Sequence, residues 1–272
     1  MDVAQKEYQS VWMGTNKPHV RLVYKGLSRY YDINYLDNLA ETESGWDMNQ
    51  RFNKKCLEYL PVDLNSLLYK YEVDFARYYR LSGDKRVAAK WEVTASARAK
   101  TIDELMFNEL RSLYYDYNFV KERRGGVSSL AGLYPLWAGM VDNNRAKELV
   151  KSLRRFENKG GLATTDTQPL NQLVPGAIPT QWAYPNGWAP LHFLMVKGLQ
   201  RYGYDEDARR IALKWIKTNL EWFNNNKVFL EKYNVVQPGK PPAKGVYPSQ
   251  TGFGWTNAIF ERFCQEFIDE RR

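Results

Sequence analysis

The stretch PVDLNSLLYKYEVDFARYYRLSG, residues 61–83, decides the fold class. Its apolar positions Leu64, Leu67, Leu68, Tyr71, Phe75 and Tyr78 recur at steps that fit one face of a helix. Asp63 after Pro61 reads as an N-cap, and Gly83 as a stop. The same period continues through residues 84–117, carried by Val87, Ala88, Trp91, Ala95, Ala99, Ile102, Leu105, Met106, Leu110 and Leu113. Further helices are predicted over 128–141, 145–157, 188–203, 206–224 and about 255–269. Strand signals are scarce. Two long non-helical stretches, 159–187 and 228–254, are rich in Gly, Pro, Thr, Asn and Gln but also carry aromatics, which argues against disorder. The expectation is an all-α domain of paired helices spanning 1–272, with ordered loops gathered at the helix ends and a rhythm that suggests a toroid or solenoid.

Composition excludes several classes. With 44% hydrophobic and 26% charged residues in 272, the chain is neither disordered nor too small for a core. No apolar run approaches the ~18 residues of a membrane span. Two cysteines, Cys56 and Cys264, cannot form a disulfide scaffold and read as buried or inert thiols. The net charge is +8, but the basic clusters Lys121-Glu122-Arg123-Arg124, Arg154-Arg155, Arg209-Arg210 and Arg271-Arg272 are short and mostly adjoin acids, so no nucleic-acid partner is expected. His19 and His192 with two distant cysteines make no zinc spacing, and His192 reads as a core or helix-surface residue. No phosphate-binding glycine loop is present. The first residues carry no basic-then-apolar signal, from which a cytoplasmic location is expected. Aromatic residues reach 15%, with nine Trp and nineteen Tyr. That excess fits either flat faces that stack on sugar rings or a tyrosine-rich core with polar tips at the surface.

Most acids sit on helix faces beside Lys or Arg. Two do not. Asp47 lies in Glu43-Ser44-Gly45-Trp46-Asp47, with Arg51 downstream, and Glu231 lies in Val228-Phe229-Leu230-Glu231-Lys232-Tyr233. A carboxyl held against an aromatic loses solvation and its pKa rises, as a general acid requires. Two carboxyls, one acid and one base, are the equipment of glycoside hydrolysis. An N-cap or salt-bridge role is the alternative for each.

At these segments the chain resembles the trehalases, glycoside hydrolase family 37. The likeness rests on Glu43-Ser44-Gly45-Trp46-Asp47 with Arg51, on Pro61-Val62-Asp63-Leu64-Asn65, and on Gln181-Trp182-Ala183-Tyr184-Pro185-Asn186-Gly187-Trp188-Ala189-Pro190. It continues in Glu231-Lys232-Tyr233 and Gln250-Thr251-Gly252-Phe253-Gly254-Trp255-Thr256-Asn257. It runs in order from about residue 27 to 262, and corresponds to the C-terminal half to two-thirds of the family's domain. The resemblance implies an (α/α)6 toroid of glycosidase type and an inverting hydrolase acting on α,α-trehalose or a related α-glucoside. Asp47 matches the general acid and Glu231 the general base. Trp46, Arg51, Gln181, Trp182, Asn186, Tyr247, Gln250, Phe253 and Trp255 are the candidate substrate contacts. Asn186 and Asn257 are also candidates for loop support. No metal and no organic cofactor is implied, and the expected partner is a small sugar.

The sequence departs from the family pattern at three places. Ala183 stands where the signature has Asp, and Val246 where a Glu would meet substrate. The family's Arg-containing N-terminal motif is absent; Arg21 and Arg29 match nothing in it. These departures favour the alternative of a non-catalytic, carbohydrate-binding or interaction relative. Seven to nine helices are expected rather than the twelve of a closed toroid. An open ring would expose apolar inner faces, so a longer domain, a homo-oligomer completing the ring, or closure on fewer helices is expected.

Overall fold

A computed structural model of the chain describes residues 1–17, 20–167 and 180–268. His19, Arg271-Arg272 and residues 168–179 of the first long loop lie outside the described residues. Among the described residues there are nine α-helices: α1 (Asp2–Glu7), α2 (Asp37–Thr42), α3 (Val62–Leu81), α4 (Lys85–Met106), α5 (Tyr134–Ala138), α6 (Asn143–Leu153), α7 (Ala189–Arg201), α8 (Asp205–Asn226) and α9 (Gly254–Phe267). Five short antiparallel ribbons lie between them. Helix α3 packs on α4 and α5, and α7 packs on α5, α8 and α9.

The long helices form as the period predicts, with informative exceptions. Helix α3 has Pro61, not Asp63, at its N-cap position. Its first turn is instead served through space, because Asp116 Oδ1 accepts the Val62 N–H at 3.0 Å. Leu67 and Tyr78, expected on the inner face, are exposed, while the polar Asn65 and Glu72 are buried. The buried face is turned toward them because they carry paired contacts: Glu72 Oε1 accepts from Arg98 Nε at 2.8 Å, and Asn65 Oδ1 from the Ser28 N–H at 2.9 Å. A hydropathy period does not register a polar side chain that is buried with its partner.

The second long helix stops at Met106, short of the predicted 117. Phe107–Asn108 and Leu113–Tyr114 pair as a hairpin, in which Leu113 is buried and Leu110 is 97% exposed at the turn. The spacing of those leucines is helical by coincidence. The predicted helix 128–141 is a 3-10 turn, Leu130–Leu133, running into the five-residue α5, and its partner ends at Leu153.

Two apolar clusters make the core. One gathers Trp46, Met106, Leu136, Trp182, Trp188, Val196, Ile211 and Trp215; the other gathers Tyr8, Tyr30, Phe52, Cys56, Leu64, Leu68 and Phe75. Helix α3 belongs to both, through Val62 in the first and Leu64 onward in the second. Among the described residues, no helix is long and apolar enough to cross a membrane.

Candidate active site

Three segments far apart in the chain meet at one end of the helices: the loop after α2, the segment before α7, and the turn after α8. The acid loop follows from α2. Ser44 and Gly45 donate their N–H groups back to Glu41 O and Thr42 O at 3.0 Å each, which turns the chain, and Gly45 takes a φ of +73° that favours glycine. Trp46 is thereby buried and Asp47, the next residue, is left half-buried.

The segment 180–188 is a spacer that links the Asp47 loop to the strand following Glu231. Gln181 Nε2 donates to Asp47 O at 2.7 Å. Gln181 O accepts from Asn186 Nδ2 at 3.0 Å and from Trp188 Nε1 at 3.2 Å. The strand Asn186–Trp188 then pairs antiparallel with Lys232–Asn234, and the register sets Trp188 opposite Lys232. Glu231 immediately precedes that strand. Its N–H donates to Gln250 O at 3.0 Å, and its carbonyl accepts from Trp255 Nε1 at 3.3 Å.

Indole rings run along the same line. Trp46 stacks on Trp182 with centroids 5.3 Å apart, and Trp182 on Trp188 at 3.8 Å with rings parallel to within 1°. Trp255 meets Trp182 and Trp188 edge-on at 6.3 and 6.0 Å, and Phe253 packs on Trp255 at 4.6 Å. Lys232 Nζ lies over the Trp188 ring at 5.2 Å and pairs with Glu231 Oε1. That lysine is fully buried, and Glu231 is 7% exposed.

The two carboxyls are placed in different surroundings. Burial holds the Asp47 carboxyl above the usual range, and the charge of Glu231 raises it further, opposed by its own backbone N–H. Glu231 has an ammonium as its contact. The two carboxyls thus differ in environment: one is raised by burial, and the other contacts an ammonium. Among the described residues, no group of three or more His, Cys, Asp or Glu is placed to hold a metal ion.

Several candidate contacts take other positions. The Arg51 guanidinium, expected on substrate, is buried and spends its donors on two aspartates: 2.6 and 2.7 Å to Asp63, and 2.7 and 3.0 Å to Asp116. It also lies over the Trp46 ring at 4.7 Å. Trp46 is thus covered by Arg51 and Trp182, and Trp182 lies between Trp46 and Trp188. Both rings are only 4% exposed and present no platform to a sugar, so both are corrected to packing roles. Asn186, also expected on substrate, is fully buried: its amide donates to Gln181 O and to Ala243 O at 3.1 Å, and its Oδ1 accepts the Ala243 N–H at 2.8 Å. It ties the second long loop to the spacer. Gln181 is buried as well. Gln250 is exposed, its amide donating to Pro248 O at 2.9 Å. Tyr247 is exposed, and Phe253 and Trp255 are half-buried.

The sequence pattern does not single out Lys232, although it adjoins Glu231. Nor does it single out Glu41 or Asp116, which no local signal marks. His192 stands in the core as expected. Its Nε2 accepts the Leu162 N–H and its Nδ1 donates to Trp188 O, each at 2.8 Å, and burial pushes its pKa down to about 4. A cavity of about 1310 Å³ adjoins the acid loop, lined by Glu41, Met48, Asn49 and Gln50 among others; neither Asp47 nor Glu231 is in its wall.

The sequence profile of the trehalase family matches residues 6–267. The chain belongs to the trehalase family. The cytosolic neutral trehalase of Beauveria bassiana (strain ARSEF 2860) is 34% identical over 262 residues, covering 84% of this chain and 35% of that protein. The periplasmic trehalase of Escherichia coli O8 (strain IAI1) is 34% identical over 234 residues, 83% of this chain and 40% of that protein. The chain therefore spans little more than a third of these trehalases. The structure of neutral trehalase Nth1 from Saccharomyces cerevisiae superimposes with a TM-score of 0.82 at 26% identity, covering 98% of this chain and 56% of that one. A GH63 mannosylglycerate hydrolase from Thermus thermophilus shares the fold, with a TM-score of 0.58 at 19% identity over 82% of this chain and 50% of that one. The fold is of the trehalase-type (α/α)6 toroid class, with nine helices among the described residues rather than the twelve of a closed ring.

Proposed function

We propose that this trehalase-family chain carries the acid and the base of an inverting glycoside hydrolase acting on α,α-trehalose or a related α-glucoside. Asp47 gives its proton to the glycosidic oxygen, and Glu231 takes one from a water attacking the opposite face of the ring. Inversion asks for roughly 6.5–9.5 Å between the two carboxyls, so that the water fits. The observation that carries the reading is the contrast in environment. Burial and the charge of Glu231 raise the Asp47 carboxyl above its ordinary range, the direction a proton donor needs, while Lys232 pairs with Glu231. The spacer 180–188 bonds the Asp47 carbonyl at one end and pairs with the strand that follows Glu231 at the other, which supports the two acting together. Phe253, Trp255 and Tyr247 are the aromatic surfaces left to meet sugar. Burying Ala183 where the family has Asp, and exposing Val246 where it has Glu, changes two polar positions but neither carboxyl.

The whole chain acts as one trehalase-like unit over 1–272, with the sugar as its partner. A cytoplasmic setting accords with the fungal relatives, whose names say cytosolic, though the Escherichia coli relatives are named periplasmic. The test is incubation with trehalose followed by proton NMR of the anomers. β-Glucose appearing with α-glucose in equal amounts before mutarotation is expected. Asp47→Asn and Glu231→Gln each lower kcat by at least about a hundredfold with the melting temperature unchanged. Undiminished turnover in either variant rejects the assignment.

A further inference from the structure

Helix α2 is six residues long, yet its penultimate residue carries a carboxyl almost sealed from water: Glu41 is 4% exposed. Its Oε1 accepts the Asn49 N–H at 2.5 Å. Asn49 passes the constraint on, since its Nδ2 donates to Trp46 O and its Oδ1 accepts the Arg51 N–H, each at 2.8 Å. On the other side of the loop, Glu41 O accepts the Ser44 hydroxyl at 2.6 Å, and that hydroxyl accepts the Trp46 N–H at 3.0 Å. Asp47 lies between. The residue before it and the residue two after it both trace back to Glu41.

We infer that Glu41 is the positioning residue of the acid loop, fixing where Asp47 stands through the Asn49 N–H and the Ser44 turn. The kinetic part of this inference rests on the acid role proposed for Asp47; the structural part does not.

The charged and titratable neighbours of Glu41 are few. On its own helix stands Asp37, and on the acid loop Asp47 and Arg51, the latter already paired with Asp63 of α3 and with Asp116. The Cys56 thiol follows beyond the loop. Burial is the largest influence and raises the Glu41 carboxyl to about 7, with the Asn49 N–H and Arg51 opposing it and Asp47 and Asp37 adding to it. A backbone N–H bonds an anion more strongly than a neutral carboxyl. Burial penalises the ionised form more than that bond favours it, so the two protonation states hold the loop differently and the change falls near neutrality.

The experiment compares the native chain with Glu41→Gln and Glu41→Leu. Tryptophan fluorescence titrated from about pH 5 to 9 reports the Trp46 stack without any substrate. The native chain shows a step near neutrality, and Glu41→Gln lacks it, because the amide accepts the same N–H but does not ionise. With trehalose, Glu41→Leu lowers kcat by roughly ten- to a hundredfold at nearly constant KM, the scale set by a small misplacement of a reacting group. Glu41→Gln recovers most of that loss. A Glu41→Gln titration that superimposes on the native one overturns the inference, as does a folded Glu41→Leu with native kcat. If Glu41→Leu does not fold, the fluorescence pair decides. If the native chain releases no glucose, the proposed function fails, and the titration still decides the role of Glu41.

Discussion

At the scale of single residues, the acid loop depends on charges that are out of reach of solvent. Arg51, Asp63 and Asp116 are all nearly fully buried and satisfy one another. Burying such groups is tolerated only because each has its partner; removing one leaves the others uncompensated. Arg51→Met keeps the length of the side chain but leaves two carboxylates buried beside the start of α3. It is expected to destabilise the fold by about 3–5 kcal/mol in urea unfolding at neutral pH. Glu41 makes the opposite kind of prediction. Its carboxyl is raised from 4.5 to about 7, so the folded chain binds this proton more tightly than the unfolded one. The stability it contributes is fully present below about pH 4.5 and is lost as pH rises through 7. Glu41→Gln, which has no charge to bury, should gain on the native chain between pH 5 and 8 by an amount on the order of 3 kcal/mol. Melts of both proteins across that range check the slope, and a constant difference contradicts it.

At the scale of elements, a two-strand ribbon and a histidine place Glu231. The pairing of Asn186–Trp188 with Lys232–Asn234 makes Glu231 the residue at the edge of the ribbon, with Lys232 turned onto Trp188. Gly187 lies opposite Tyr233 in that pairing, and a Cβ there would fall 2.5 Å from Val235 Cγ1 and 2.7 Å from Leu162 O. One of those contacts is backbone, so it cannot swing aside. Gly187→Ala should therefore force the ribbon apart, at a cost of about 1–3 kcal/mol, and lower kcat more than a surface Gly→Ala such as Gly126→Ala, where the space is open. Denaturant unfolding and trehalose kinetics on the two variants separate these effects. His192 acts from beneath, joining Leu162 to Trp188 through both ring nitrogens. A histidine on a helix after a family signature invites a catalytic reading, but a buried, neutral, doubly bonded ring is a strut.

At the scale of the molecule, helix α3 couples the two apolar clusters. It contributes Val62 to one and Leu64, Leu68 and Phe75 to the other, and Arg51 lies against both Trp46 of the first and Phe52 of the second. A helix shared in this way is not free to melt from one cluster while the other stays folded. Scanning calorimetry should show one transition, with calorimetric and van't Hoff enthalpies in agreement. Two resolved peaks would mean that the clusters are separate units and that the chain is not one domain.

The helices and the family are legible in the order of the residues alone. A helical period is a local property, and residues three or four apart declare it without help from the rest of the chain. The rare-residue signatures around Asp47, Gln181–Pro190 and Glu231 are equally legible, because they lie within a few positions of each other. Folding alone settles the company each side chain keeps. Arg51 reads as a substrate contact because its motif resembles the family's catalytic one, but Asp63 and Asp116 reach it from elsewhere in the chain. Trp46 and Trp182 read as sugar platforms because they are aromatic, but a third indole and a guanidinium cover their faces. Glu41 carries no signal at all, since burial and a hydrogen bond across the loop leave no mark on spacing. Periodicity records which residues point the same way; the desolvation and pairing of charge depend on segments that the chain brings together only when it folds.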